Sequence, residues 1–140
     1  MDIGRGHRLA LTSRLIMLDE ALCEFERWAQ GHAAKSVLYE ERDNLTPAQR
    51  QTILEQVSEA RRALERTREA FGLEKQTQNV RRAIAGHCAV LWELLTELEP
   101  KYLSHYGTLE EEAAAQVAQD VAELRGCLGA IAEAATAPLR

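Results

Sequence analysis

The sequence predicts an all-α protein: an antiparallel up-down four-helix bundle, with one optional short helix after the first. Three observations carry this. Only 3 Pro and 8 Gly occur in 140 residues, and Ala, Leu, Glu, Arg and Gln dominate, which favours helix over strand. Four long segments repeat apolar residues at spacings of three and four. Helix-start and helix-stop signals separate those segments with mostly short links. At 15.7 kDa the chain is read as one domain over 1–140, with main helices at about 7–30, 46–71, 77–106 and 108–135.

In the first helix the stripe is Leu11, Leu15, Leu18, Leu22, Phe25 and Ala29, widened by Leu9, Ile16, Met17, Ala21 and Trp28. Gly31 ends or loosens it. A kinked continuation and a separate short helix over Ala33–Arg42 both fit, because that stretch holds no strong breaker. The second helix has the clearest start. Thr46-Pro47-Ala48-Gln49 reads as N-cap to N3, with Thr46 and Gln49 forming a capping box and Pro47 at N1, where its missing donor costs nothing. Its stripe is Ile53, Val57, Ala60, Leu64, Thr67 and Phe71. Gly72 follows as the left-handed residue, and Leu73 folds back over the last turn.

The third helix starts near Thr77, read as its N-cap. It carries two stripes: Val80, Ile84, His87, Leu91, Leu94 and Leu98, and Cys88, Leu91, Leu95, Leu98 and Tyr102. No charge lies between Arg82 and Glu93 when His87 is neutral, so this helix reads as the most buried element. Pro100 kinks or breaks it, and Gly107 stops it. Thr108 and Glu111 read as a second capping box opening the fourth helix, with acids Glu110–Glu112 at the positive end of its dipole. Val117, Val121, Leu124, Leu128, Ile131 and Ala135 make its stripe, and residues 136–140 read as a frayed end.

Composition limits the function classes. The net charge of −5 and the acidic C-terminal end (six acids against two bases over 108–140) give no support for nucleic-acid binding. No apolar run reaches the roughly 18 residues that span a bilayer. Three scattered cysteines, Cys23, Cys88 and Cys127, are no disulfide framework, and Arg14 interrupts the apolar stretch Leu9–Leu18 without a cleavage pattern after it. The expectation is a cytoplasmic protein with reduced thiols that binds neither membrane nor nucleic acid.

The chemistry-bearing candidates are sparse. The Glu-x-x-His pairs of bundle metal sites are absent, so no metal or cofactor is expected. A soft-metal arrangement of His87, Cys88 and Cys127 needs His87 and Cys127 level across the turn at Gly107. A buried neutral His87 is the simpler reading. The text around His87 lacks the Lys and Gly that follow the histidine of phosphotransfer domains, and no acid, base and nucleophile converge, which ranks an enzyme third. Glu59–Arg62, Arg61–Glu65 and Glu65–Arg68 have the spacing of a salt-bridged helix face.

Two readings remain. The leading one is a non-enzymatic interaction or scaffold module that self-associates as a homodimer, or meets an unidentified protein partner, through apolar helix faces. Ala85, Ala89, Val90, Trp92, Met17 and Trp28 are its candidate interface residues, since small residues admit a close helix and the others lie off the primary stripes. The rival is a bundle that binds a small ligand or anion near Arg81, Arg82, Arg66, Lys75 and His87, where bases cluster beside the start of the third helix.

Overall fold

The computed structural model describes residues 1–138 and shows an all-α chain. Leu139 and Arg140, the last residues of the expected frayed end, lie outside the described residues. The helices are α1 (Arg5–Ala29), α2 (Pro47–Phe71), α3 (Val80–Thr96), the single turn α4 (Pro100–Leu103) continued by a 3₁₀ turn (Ser104–Tyr106), and α5 (Glu111–Thr136). Among the described residues none is long and apolar enough to cross a membrane. The chain divides into two compact units, Met1–Lys75 and a second that begins at Gln76. Each is an antiparallel helix pair: α1 with α2, and α3 with α5.

The second helix follows its sequence signals closely. The Thr46 hydroxyl accepts from the Gln49 amide at 3.1 Å, and the Gln49 side chain accepts from the Thr46 amide at 2.9 Å. At its end Gly72 is left-handed, with φ 58°. The Leu73 amide reaches back to the Arg68 carbonyl at 2.9 Å, and the Leu73 side chain is buried. Gly31 does the same for α1, with φ 84° and a bond from the His32 amide to the Arg27 carbonyl at 3.0 Å.

Four expectations are corrected. No helix forms over Ala33–Arg42; the segment is a tight reversal in which Lys35 and Glu40 make an antiparallel bridge. The third helix starts later and ends earlier than 77–106. Asn79, not Thr77, is its N-cap, accepting from the Arg82 amide at 3.1 Å. Its end tightens over Glu97–Glu99 into bonds between residues three apart before Pro100. The Thr108–Glu111 capping box is absent: α5 begins at Glu111 after Glu110, with no side-chain cap, though Glu111 and Glu112 do occupy the first turn. Arg61 pairs across to Glu26 of α1 rather than along its own helix to Glu65, while Glu59–Arg62 and Glu65–Arg68 form.

Arginines tie the helix ends. Antiparallel packing sets the first turns of one helix beside the last turn of its partner, where carbonyls lack intrahelical donors. Arg8 of α1 donates to the carbonyls of Phe71 (2.7 Å) and Gly72 (3.1 Å) at the end of α2. Arg50 of α2 donates to Trp28 (3.3 Å) and Ala29 (3.2 Å) at the end of α1. Arg81 of α3 donates to Ala135 (2.7 Å) and to Ala137 at the end of α5. Each also places a cation at the negative end of a helix dipole.

Within each pair only a narrow seam is covered. Leu22, Ala29 and Val57 are buried in the first, Cys88 and Val121 in the second. At 100° per residue, Val80, Ile84, Leu91 and Leu94 fall on one flank of α3, beside the Cys88 seam, and Leu98 follows two residues past its end. Leu124 and Ile131 fall on the same flank of the antiparallel α5, and all seven are exposed. Trp92 lies on the opposite flank, against Gly129 and with the Arg125 guanidinium 5.5 Å from its ring centroid. The first pair repeats the arrangement: Leu18 and Phe25 are exposed on one flank, and the Glu26–Arg61 ion pair occupies the other. The third helix is therefore not the most buried element. One stripe faces α5 and the other faces outward.

Thr46→Ala should cost about 1 kcal/mol through loss of the cap. Gly72→Ala should cost about 1–2 kcal/mol through left-handed backbone strain alone, since an added Cβ meets nothing within 4 Å. Arg8→Met should cost about 1 kcal/mol by uncapping α2. Urea unfolding followed by circular dichroism measures all three.

Candidate functional site

A cavity of about 550 Å³ lies at the end of α1, the following loop and the start of α2. Phe25, Trp28, Ala33, Glu41, Arg42, Asp43, Asn44, Leu45 and Ile53 line it. Phe25 and Trp28 come from the last turns of α1 and stack with ring centroids 6.3 Å apart. Ile53 comes from the second turn of α2. The volume lies within the roughly 300–1,000 Å³ typical of small-molecule or side-chain pockets.

The loop wall is held by one carboxylate. Glu41 accepts from the Trp28 indole N–H at 2.6 Å, the Ala34 amide at 2.8 Å and the Arg27 guanidinium at 3.0 Å. Its own amide donates to the Ala34 carbonyl at 2.8 Å, so residues 34 and 41 are joined twice. Arg27 is shared with Glu24 and the His32 carbonyl. A second carboxylate, Asp43, accepts from Arg50 and from the Leu45 amide at 3.2 Å, turning the chain into the α2 cap. The Ala34 amide above all, together with Arg27 and Trp28, holds the Glu41 carboxyl below the usual carboxylate range. Arg50, and then the Leu45 amide, does the same for Asp43. Both charges are thus neutralised by arginines of the same unit. What remains for an occupant is chiefly aromatic and aliphatic wall, with Arg42 and Asn44 as the other polar lining residues.

Between these anchors the loop turns tightly, with the Ser36 amide donating to the Tyr39 carbonyl at 2.9 Å. At its tip Val37 and Leu38 are 93% and 95% exposed. Two large aliphatic side chains on a rigidly tied turn touch almost nothing in their own chain.

The residues singled out from sequence fall elsewhere, with one exception. Trp28 forms a pocket wall. Arg66 and Lys75 belong to the first unit, and Arg81, Arg82 and His87 to the second. The Arg81 guanidinium is occupied by the α5 carbonyls. His87 is exposed rather than buried. Contacts of Trp92 with Gly129 and of Arg125 with Thr96 put Cys127 level with about Leu94, roughly 10 Å along the axis from His87. The α4 and 3₁₀ turns lengthen the link and shift the register that the soft-metal arrangement required. Among the described residues no three His, Cys, Asp or Glu side chains gather as a metal site. Ala85 is half-buried toward α5, Ala89 is on the Trp92 flank, Val90 faces away from α5, and Met17 is exposed on α1.

Sequence reasoning missed Glu41, Asp43, Arg50 and the tip. The usable signal was Asp43-Asn44 immediately before the Thr46 cap, which marks a turn and argues against helix there. Comparison of the chain with protein-family models, curated proteins and solved structures finds no match.

The loop network should depend on ionised Glu41 and Asp43. Both carboxyls titrate lower in the folded chain than in the unfolded one, so their contribution is complete above about pH 4.5 and is lost as pH falls through the lowered values. Tryptic cleavage after Lys35 should be several-fold faster in Glu41→Ala than in the parent at pH 7, and the protection of the Ala34 amide relative to an unstructured chain at the same pH should fall in the parent once the two carboxyls protonate. Unchanged cleavage and exchange would show that the carboxylates do not hold the loop.

Proposed function

We propose that this protein is a non-enzymatic interaction module that self-associates as a homodimer through the apolar flanks of its helix pairs. The observation that carries the reading is the outward stripe of α3 and α5: Val80, Ile84, Leu91, Leu94, Leu124 and Ile131 on one flank, all exposed. Contiguous apolar surface of this kind marks association sites.

A second copy is the occupant that brings the same flank with it, so one self-complementary contact covers two apolar faces at once. The expected setting is the cytoplasm, where Cys23, Cys88 and Cys127, all free, stay as thiols. The rival reading, anion binding by the basic cluster, loses support from the engagement of Arg81 with α5 carbonyls.

Native mass spectrometry should give twice 15.7 kDa with no added mass. The double variant Leu91→Glu, Leu94→Glu should become monomeric with its helical circular dichroism retained. Ala89→Glu, on the Trp92 flank, should keep the parent mass. A monomeric parent, or a double variant that stays dimeric, would sink the reading.

A further inference from the structure

We infer that the dimer exchanges loop tips: Val37 and Leu38 of each copy occupy the aromatic pocket of the other. This rests on the self-association proposed above and names a second contact within it. Three observations converge. The pocket, about 550 Å³, has an apolar wall of Phe25, Trp28, Leu45 and Ile53, and its carboxylates are already paired within the unit. It therefore suits an uncharged aliphatic group. The tip supplies such groups: Val37 and Leu38 have the highest exposures of all the large apolar side chains among the described residues. Exposures of 93% and 95% also mean that they do not fill the pocket of their own copy.

The third observation is preorganisation and closure. The Ser36–Tyr39 turn bond, the double joining of Ala34 and Glu41, and the Arg50–Asp43 pair hold tip and pocket wall in one fixed segment. Little side-chain or loop freedom is then lost on docking. Tip and pocket belong to the same compact unit, so a two-fold axis between two copies makes the contact reciprocal: tip to pocket and pocket to tip. Such a contact closes on itself and does not propagate into fibres.

The test uses the full chain with the photo-crosslinking residue p-benzoylphenylalanine at position 38. Isotopically heavy and light preparations are mixed and irradiated, and cross-linked peptides are read by mass spectrometry beside the native mass. The exchange predicts a dimer with heavy–light cross-links from position 38 to peptides holding Phe25, Trp28 or Ile53. It also predicts that Leu38→Ser, a fully exposed substitution that leaves the fold intact, raises the dimer Kd at least about tenfold. A dimer with cross-links confined to one copy or away from the pocket, or with an unchanged Kd in Leu38→Ser, overturns the exchange and leaves self-association standing. A monomer overturns both.

Discussion

Two helices packed against each other can cover one stripe each and no more. Three of the paired helices, α1, α3 and α5, carry apolar residues over a wider arc than that. The pairing of α3 with α5 buries Cys88 and Val121 and leaves the neighbouring stripe of Val80, Ile84, Leu91 and Leu94 in solvent. The pairing of α1 with α2 buries Leu22 and Val57 and leaves Leu18 and Phe25. In both pairs the opposite flank is finished with a charged group, Glu26–Arg61 in one and Arg125 over Trp92 in the other. One flank of each pair carries an arginine contact, and the other is aliphatic or aromatic without one. That asymmetry is the physical ground for reading the protein as an association module.

The arginines explain how such thin seams hold a register. Arg8, Arg50 and Arg81 each sit near the start of a helix and each bind carbonyls at the end of the antiparallel neighbour. The donors are guanidinium N–H groups on side chains of the opening turns, and the carbonyls lie in a last turn, where they have no intrahelical donors. Sliding one helix by a turn would break these bonds and move the apolar seam at the same time. The same logic governs the loop after α1. Arg50 caps α1 and binds Asp43, while Glu41 collects Trp28, Arg27 and the Ala34 amide. The closing of α1, the shaping of the pocket and the start of α2 are thus one connected set of bonds. Its outcome is an apolar tip held away from the pocket beside it.

Much of the helical architecture was legible in the residues, for a local reason. Periodicity at three and four, the Thr46–Gln49 capping box, and Gly31 and Gly72 past two helix ends act within a few residues of chain, and the structure reproduces them. Where local signals were weak or competed, they misled. Thr77 lost to Asn79, which directly precedes the first apolar residue of α3, and Ala33–Arg42 lacked breakers yet is not helical, because Glu41 and Ala34 bond to each other.

By itself, then, the sequence determined that the chain is all-α, where most helices begin and end, and that their apolar arcs are broad. Those are consequences of backbone capping and of a 3.6-residue period, both short-range. Only the tertiary structure decided which stripe is covered. It also decided that His87 is exposed and out of register with Cys127, that Arg81 serves a helix end, and that Glu41, Trp28 and Asp43 build a pocket. Those outcomes depend on which carbonyls and side chains distant segments bring within hydrogen-bond reach, and residue spacing along one helix carries no record of that.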